Sequence, residues 1–440
     1  MKNLILNILT LTALLFSASC KQNEPDSISV KSIISTSTEA ASAYLTNDNN
    51  GNAVLCWTER SVDDSLYRLK YAIYNSSTNN FGNSITVTPS AGTKASPESM
   101  NKLAFKSDGT VIAVYTRKFE NQKNPFAGAI LYSTSTDEGK NWSKEQYLHS
   151  DTSHTYGRSY FDLARMNNGE IAAVWLDGRY GKADTGSALF FASTSKNKDF
   201  ENEKCIDRST CECCRTELLS AKDGKLHIAY RRIMFPVKML GKQVRDMAYT
   251  YSENNGQSFG KIKTISHDNW AIEGCPHTGP SLADNGQDVY ALWFTAGNSP
   301  GVYFNKCEGS GNSFNSRELQ SVTARHPQLT SLEDGRLAMV WEEEAKTETA
   351  APESSHQHGM AMSHQKASSA KISMKILRNG VEEKKMNITD GAQSDHHAVI
   401  TEVNKGVLVA WVSENKTLQE FVMLSLKLMS KHILPIQLSF

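Results

Sequence analysis

The feature that most constrains the fold is a short phrase that recurs along the 440 residues of the chain. Each copy opens with glycine, continues through β-branched or other apolar residues and ends in tryptophan or tyrosine, as in GEIAAVW and GRLAMVW. Most copies follow Asp or Asn, which favour hairpin turns, so each phrase predicts a tight turn leading into a buried strand. The glycines lie 49 to 71 residues apart, at Gly51, Gly109, Gly169, Gly224, Gly286, Gly335 and Gly406.

A period of this length suits one four-stranded blade of a β-propeller for each phrase. The sequence therefore predicts an all-β fold, with residues 31–440 forming a single propeller domain of four-stranded blades. Seven phrases favour seven blades. Six blades stay possible if one phrase belongs to a closing or partial blade.

A second motif lies between the phrases, in STDEGKNW and SENNGQSF. Both segments fit the pattern Ser-x-Asp/Asn-x-Gly-x-x-aromatic and resemble the Asp-box (BNR) repeat of the sialidase superfamily. The resemblance implies a β-propeller in which the box is a fold element, so it says nothing about chemistry. The residues that carry it are Ser135, Asp137, Gly139, Trp142, Ser252, Asn254, Gly256 and Phe259.

The N-terminus is typical of a targeting segment. Lys2 precedes the apolar run LILNILTLTALLF, and small residues follow directly before Cys20. This junction resembles a bacterial lipobox, which implies a signal peptide over 1–19, lipidation of Cys20 and a polar tether over 20–30. An ordinary signal peptide with a chance cysteine is the alternative. In such lipoproteins Lys21 implies an outer-membrane lipoprotein of the bacterial cell envelope, held at the membrane by its lipid anchor.

Composition narrows the choice of partners. The formal net charge is zero, so the sequence shows no electrostatic footprint for nucleic acid, and we predict no nucleic-acid partner.

The stretch SSHQHGMAMSHQ lies in an insert at about 342–371, within the longest interval between phrases. Imidazole and thioether groups side by side suit copper, since thioethers favour Cu(I) and imidazole also holds Cu(II). The alternative is a solvated low-complexity loop whose histidines bind nothing. The predicted ligands are His356, His358, Met360, Met362 and His364.

A second set of ligands is predicted where the innermost strands begin, at one mouth of the propeller channel. About nine residues before each glycine the sequence gives Met100, Tyr160, Arg215, His277, His326 and His396, with Cys213, Cys214, Arg325, Asp395 and His397 as neighbours. We predict a metal site from His277, His326 and His396 with Cys213 and Cys214. The histidines could equally be hydrogen-bonded residues that line a wet tunnel.

The cysteines of CIDRSTCECCRTE and EGCPHTGP cluster in sequence. Adjacent cysteines do not readily bridge each other, because a disulfide requires a suitable Cα separation. Cys205, Cys211 and Cys275 are therefore predicted to form disulfides or to bind metal. The Cys-x-Cys-Cys and Gly-Cys-Pro motifs resemble one branch of bacterial Asp-box proteins that are described as sialidase-like, which brings no established reaction.

These features favour an exported propeller lipoprotein that binds copper, in trafficking or in assembling a copper enzyme, with a copper-client protein as a partner. The alternative is an exo-α-sialidase or other glycan hydrolase with a remodelled site. The superfamily resemblance implies three arginines, a tyrosine nucleophile with a glutamate, and an aspartate. The usual Phe/Tyr-Arg-Ile-Pro phrase is missing, although Arg215, Arg232 and Arg245 could mimic two of the arginines, so no catalytic residue is assigned. A plain interaction platform ranks last.

Overall fold

A computed structural model describes residues 27–36, 39–181, 185–236, 241–272, 274, 276–309, 313–344, 370–404, 406–414 and 419–428. Cys20, Cys275 and the five predicted ligands between 356 and 364 lie outside these ranges, so their predicted roles stay predictions. The described part consists of β-strands and one short 3-10 helix, Thr88–Ser90. None of its helices is long and apolar enough to cross a membrane.

The strands follow one another as antiparallel meanders, which confirms the all-β propeller fold. The first meanders contain β2 (Ala40–Asn47), β3 (Ala53–Arg60), β4 (Tyr67–Asn75), β5 (Asn80–Phe81) and β6 (Ile85–Thr86), and then β7 (Lys102–Phe105), β8 (Val111–Lys118), β9 (Gly128–Ser135) and β10 (Gln146–Tyr147). The next contain β11 (Arg158–Arg165), β12 (Ile171–Asp177), β13 (Ser187–Ser195) and β14 (Lys198–Thr210), and then β15 (Glu217–Ser220), β16 (Leu226–Met234), β17 (Val244–Ser252) and β18 (Lys263–Thr264).

The later meanders contain β19 (Ser281–Asp284), β20 (Val289–Thr295), β21 (Gly301–Glu308), β22 (Ser313–Phe314) and β23 (Glu318–Ser321), and then β24 (Ala324–Ser331), β25 (Leu337–Glu344), β26 (Ala370–Arg378) and β27 (Val381–Asn387). The last meander contains β28 (Ser394–Val403), β29 (Gly406–Glu414) and β30 (Gln419–Lys427). It is joined by β1 (Ser27–Thr36), which pairs along β30 from Ser27 opposite Lys427 to Thr36 opposite Gln419. This strand begins inside segment 20–30, which the sequence predicts as a tether.

The first strands of the meanders contact one another in a closed ring, in the order β2, β7, β11, β15, β19, β24, β28 and back to β2. Hydrogen bonding groups the described strands into six sheets, one of which joins two meanders through a single pair, Thr210 with Arg232. Counting sheets gives six and counting meanders gives seven, so seven blades remains the prediction.

The glycine phrases form the second strand of each meander, as their turn chemistry predicts. Six of the seven glycines have a positive φ, between 76° and 93°, while Gly406 opens β29 directly. The tryptophans that end the phrases are almost fully buried, at Trp57, Trp175, Trp293, Trp341 and Trp411. Each hydrophobic cluster draws side chains from two neighbouring meanders, so the core is a series of interfaces around the ring.

The two Asp-box-like turns have the same hydrogen-bond pattern. Gly139 N donates to Ser135 Oγ and Gly256 N donates to Ser252 Oγ, both at 2.9 Å. The carboxylate of Asp137 and the amide oxygen of Asn254 each accept from the backbone four residues on, also at 2.9 Å. Trp142 and Phe259 pack into the clusters below. These bonds fix the shape of each turn, and membership of the Asp-box family stays a prediction.

Gly256 packs its turn against the preceding meander. We predict that Gly256→Ala destabilises the protein by about 2 kcal/mol or more, because φ is 78° and a Cβ would lie 2.0 Å from Cζ of Phe191. Gly380 is a matched control, since its φ is also 78° but a Cβ there would meet nothing within 4 Å. Gly380→Ala should lower the free energy of unfolding by about 1 kcal/mol, as measured by urea unfolding. Equal losses for the two variants would show that the Phe191 contact is unimportant.

Candidate functional site

The inner strands carry a repeated backbone irregularity at one end of the ring. Register shifts interrupt the pairing of β2, β11, β24 and β28 with their second strands. At each shift one residue adopts a positive φ, namely Ser42, Tyr160, His326 and His397, and His277 does so ahead of β19. A left-handed conformation is uncommon for residues other than glycine and clusters at functional sites.

Two of these left-handed residues meet a buried carboxylate. The Nε2 atoms of His326 and His397 lie 3.6 Å and 3.8 Å from Oε1 of Glu98. Glu98 is only 8% exposed, and neither carboxylate oxygen accepts a hydrogen bond from a described residue. On its other side, Oε2 lies 3.4 Å from Nε of Arg215. Three potential metal ligands therefore converge, with the carboxylate still short of hydrogen-bond donors.

A second carboxylate fixes the orientation of both imidazoles. Nδ1 of His326 lies 2.8 Å from Oε2 of Glu342, and Oε1 of Glu342 accepts the backbone N–H of His397. In the neutral tautomer that donates from Nδ1 to Glu342, the His326 ring has a lone pair on Nε2, the nitrogen nearest Glu98. An outer carboxylate that holds the far nitrogen of a histidine is the usual support of a metal-ligating imidazole.

The pKa values of the cluster follow from this arrangement. Burial lowers the pKa of His397 to about 4, so its imidazole is neutral at pH 7. Burial alone would also lower the pKa of His326, but the carboxylates of Glu342 and Glu98 outweigh it and raise that pKa. Burial opposes the ionisation of Glu342, yet His326 and His397 bring its pKa down to about 2.

Of the three histidines predicted to converge, the structure places only His326 directly at Glu98. His396 lies one residue before the left-handed position, where its Nδ1 is 2.6 Å from Nδ1 of His397 and its Nε2 is 3.4 Å from Glu414. His277 is exposed and belongs to neither group of converging ligands among the described residues.

The cysteines form a second, separate cluster. Sγ of Cys211 lies 3.7 Å from that of Cys213 and 3.6 Å from that of Cys214, and all three side chains are buried. Nη1 of Arg245 donates to Sγ of Cys211 at 3.3 Å. Cys205 lies apart on β14, exposed, with its thiol 3.6 Å from the carbonyl of Asp207.

The two clusters are neighbours at the same mouth. Arg215, which pairs with Glu98, directly follows Cys214 in the chain. Tyr160 packs against the three cysteines, and its backbone N–H donates to Oγ of Ser99, next to Glu98. The mouth therefore presents a sulfur group and a nitrogen–oxygen group side by side.

The two strands that flank the predicted insert end at this mouth. Arg325 in β24 pairs with Glu342 in β25, so β25 runs back toward the end of the ring that carries His326. It ends at Glu344, opposite Ala370 at the start of β26. Residues 345–369, which join these paired strands, lie outside the described ranges.

Below the mouth the inner strands carry a polar group in the centre of the ring. Nζ of Lys102 lies 2.5 Å from Oδ1 of Asp162, and both side chains are almost fully buried. Oδ2 of Asp162 accepts the backbone N–H of Leu218 at 2.7 Å, and Glu217 accepts that of Leu282 at 3.3 Å. Burial and the charge of Asp162 raise the pKa of Glu217 to about 8. These bonds tie β7 to β11, β11 to β15 and β15 to β19 below the mouth.

Two of the converging residues are not among those the sequence singles out. Glu98 lies in the segment before β7 and Glu342 at the end of a phrase, directly after Trp341. His397 was predicted only as a neighbour. A strict count of nine residues before each glycine selects His397, and also Ser42, so a uniform spacing would have found the left-handed positions.

Comparisons with known proteins support the fold. A scan against protein-family models finds no match, and no curated protein matches in sequence. Among solved structures, the chain is similar to an ulvan lyase from a new family of polysaccharide lyases, with a TM-score of 0.52 and 12% identity over 89% of this chain and 94% of that one.

Two further structures are similar at lower scores. One is a Hadza microbial sialidase, with a TM-score of 0.47 and 12% identity over 84% of this chain and 74% of that one. The other is the β-propeller domain of the Trilobed protease from Pyrococcus furiosus, with a TM-score of 0.46 and 12% identity over 87% and 95%. At such identities similarity speaks for the fold alone, and function must be argued from the site.

Proposed function

We propose that this protein is an exported, lipid-anchored β-propeller that binds copper at the mouth of its channel, in copper trafficking or in assembling a copper enzyme. The observation that carries the proposal is the convergence of Glu98, His326 and His397, with Glu342 behind them.

The spacing of the three ligand atoms fits a bound transition-metal ion. Ligands about 2.1 Å from a metal stand about 3.4 Å apart in a tetrahedral site and about 3.6 Å apart in a trigonal one. The carboxylate of Glu98 lies 3.6 Å and 3.8 Å from the two imidazole nitrogens, and all three ligand atoms lie within 4.8 Å of one another, so side-chain adjustments would complete the site. A metal ion there would also coordinate carboxylate oxygens that accept no hydrogen bond from the described residues, although Arg215 lies 3.4 Å from one of them.

Copper is favoured over other metals by the surroundings of the site. Imidazole and carboxylate ligands suit several divalent ions, but thiolate and thioether ligands select Cu(I). A buried thiol group adjoins the histidines, and the chain between Glu344 and Ala370 carries the histidine- and methionine-rich stretch. The ligand types that suit Cu(II) and those that suit Cu(I) are therefore both present in this protein.

The hydrolase alternative finds less support in the site. Arg215 pairs with Glu98, Arg232 with Asp207, and Arg245 with Cys211 and the carbonyl of Gly274. A sialidase needs its arginines to be available for a substrate carboxylate. In the described residues, each of these three already has a partner.

The test is copper binding by the full-length protein and its variants. We expect His326→Ala and His397→Ala each to weaken Cu(II) binding by at least about 100-fold, because each removes a direct ligand. Glu98→Gln should weaken it by about 10-fold, since the amide keeps one oxygen but loses the charge. Titration against a competing chelator gives the affinities, and electron paramagnetic resonance of the wild type should show two nitrogen ligands.

The control is His267→Ala, which removes an exposed histidine far along the chain from the cluster and should leave Cu(II) affinity unchanged. His277→Ala should behave like the control. Deleting 345–369 should remove only a weaker second phase of copper binding. Unchanged Cu(II) affinity in both the His326 and His397 variants, or cleavage of a fluorogenic sialoside by metal-free protein, would reject the copper role.

A further inference from the structure

We infer that Cys211, Cys213 and Cys214 form a second metal site, made of sulfur alone and selective for monovalent copper. The sequence pattern left these residues divided between disulfides and a mixed site with histidines. Their placement separates them from the imidazoles and gives them a chemistry of their own. The inference stands independently of whether the histidine site binds Cu(II).

The geometry of the thiols suits three-coordinate binding. Three sulfurs that each lie about 2.3 Å from a metal stand about 4.0 Å apart in a trigonal plane. The sulfur of Cys211 lies 3.7 Å and 3.6 Å from the other two, and all three lie within 4.8 Å of one another. The same distances are well beyond a disulfide bond of about 2.05 Å.

The softness of the ligands selects the metal. Soft thiolates favour Cu(I) over the harder divalent ions. The three side chains are 1%, 5% and 1% exposed, so the bound ion would be shielded from water and from oxidants dissolved in it.

Arginine side chains supply positive charge beside the sulfur of Cys211. Nη1 of Arg245 donates to the sulfur of Cys211 and also to the carbonyl of Gly274, which holds the guanidinium in place. Arg231 lies nearby, fully buried, and donates to the carbonyls of Arg245 and Phe294 at 2.9 Å and 2.8 Å. Three thiolates around one Cu(I) carry two net negative charges, and two fixed guanidinium groups offset them. When copper binds, each thiol that is protonated releases its proton to solvent.

The cysteine site lies next to the histidine site at the same mouth of the channel. Arg215 connects the two groups, since it follows Cys214 and contacts Glu98. A mouth with a nitrogen–oxygen site for Cu(II) and a sulfur site for Cu(I) can hold copper in either oxidation state. The ligand class inferred for the second site is the Cu(I) ion itself.

The experiment is an anaerobic Cu(I) titration of the reduced full-length protein against a chromogenic Cu(I) chelator. The variants are Cys211→Ser/Cys213→Ser/Cys214→Ser, the double variant His326→Ala/His397→Ala, and Cys56→Ala as a control for a buried cysteine elsewhere. We expect the triple variant to lose at least about 100-fold in Cu(I) affinity, while the histidine variant and the control keep it. If only the histidine variant loses Cu(II) binding, the two sites are independent.

X-ray absorption spectroscopy of the wild-type protein tests the inference even if the triple variant does not fold. X-ray absorption of wild-type protein loaded with one equivalent of Cu(I) should show sulfur neighbours only, about 2.3 Å from the metal. A first shell with nitrogen or oxygen would overturn the inference, as would full Cu(I) affinity in a folded triple variant. Mass spectrometry that finds Cys211 or Cys214 in a disulfide in the protein as isolated from cells would also overturn it.

Discussion

Replacing Lys102 by methionine is expected to lower the free energy of unfolding by about 3 to 5 kcal/mol. Its ammonium lies 2.5 Å from the carboxylate of Asp162, and the two side chains are 5% and 6% exposed. Glu217 belongs to the same buried polar group as Lys102 and Asp162. The change would therefore leave acidic groups in the centre of the propeller without their cation. A buried charge that loses its partner keeps the full penalty of leaving water, which methionine cannot offset by filling the same volume.

Lys70 provides the matched control. It forms an ion pair with Glu59 that is also 2.5 Å long, but the two side chains are 25% and 13% exposed. Lys70→Met should lower the free energy of unfolding by about 1 kcal/mol or less, because solvent screens the ion pair. Urea unfolding of both variants and of Lys102→Met/Asp162→Asn measures the difference. The double variant should lose less than Lys102→Met alone, and equal losses for Lys70→Met and Lys102→Met would contradict the argument from burial.

Glu217→Gln is expected to make the protein more stable at alkaline pH, by about 2 to 4 kcal/mol near pH 9. Burial and Asp162 raise the pKa of Glu217 from its ordinary 4.5 to about 8, so the folded protein holds this proton more tightly than the unfolded chain. The resulting stability is fully present below pH 4.5 and is lost as the pH rises through 8. Glutamine cannot ionise, and its oxygen can still accept the backbone N–H of Leu282.

The measurement is the unfolding free energy of wild type and variant at pH 5, 7 and 9. The advantage of the variant should grow with pH across this range. Glu318→Gln, which changes an exposed glutamate on β23, should show no such growth. A pH-independent difference for Glu217→Gln would show that Glu217 is already ionised at pH 5 in the folded protein.

The sequence predicted the repeating strand architecture because each phrase combines local turn chemistry with a buried apolar run. Gly109 and Gly335 illustrate this, since both adopt a positive φ and both lead directly into the second strand of a meander. The fold could be derived from short-range rules that repeat. The position of β1 could not be derived in this way, because β1 joins the last meander by pairing with residues near 420. No glycine phrase precedes Ser27, where β1 begins.

The candidate site was predicted in outline and missed in detail for the same reason. His326 was found by its offset from Gly335, a local count. Glu98 and Glu342 come from other meanders or other strands, and no spacing rule connects them to His326. The separation of the cysteines from the imidazoles could not be predicted either, because Arg215, which follows Cys214, pairs with Glu98 through a contact between different meanders. These contacts depend on side-chain packing between residues that are distant in sequence. Such packing follows no regular spacing that could be recognised in a single sequence.

The pairing of β1 with β30 orders the events of folding. Every other ladder in the described strands forms between segments of the same meander or of neighbouring meanders, whereas Ser27 must find Lys427 at the far end of the chain. Closure entropy grows only with the logarithm of loop length, so this contact costs about 2 kcal/mol more than closing a loop of about 60 residues. The penalty is modest, but the pair can form only after two segments at opposite ends of the described chain have met. The early meanders can therefore assemble while the ring is still an open arc. Full assembly of the mouth, where His397 from the last meander meets Glu98 from the start of the second, comes only when the last meander closes the ring.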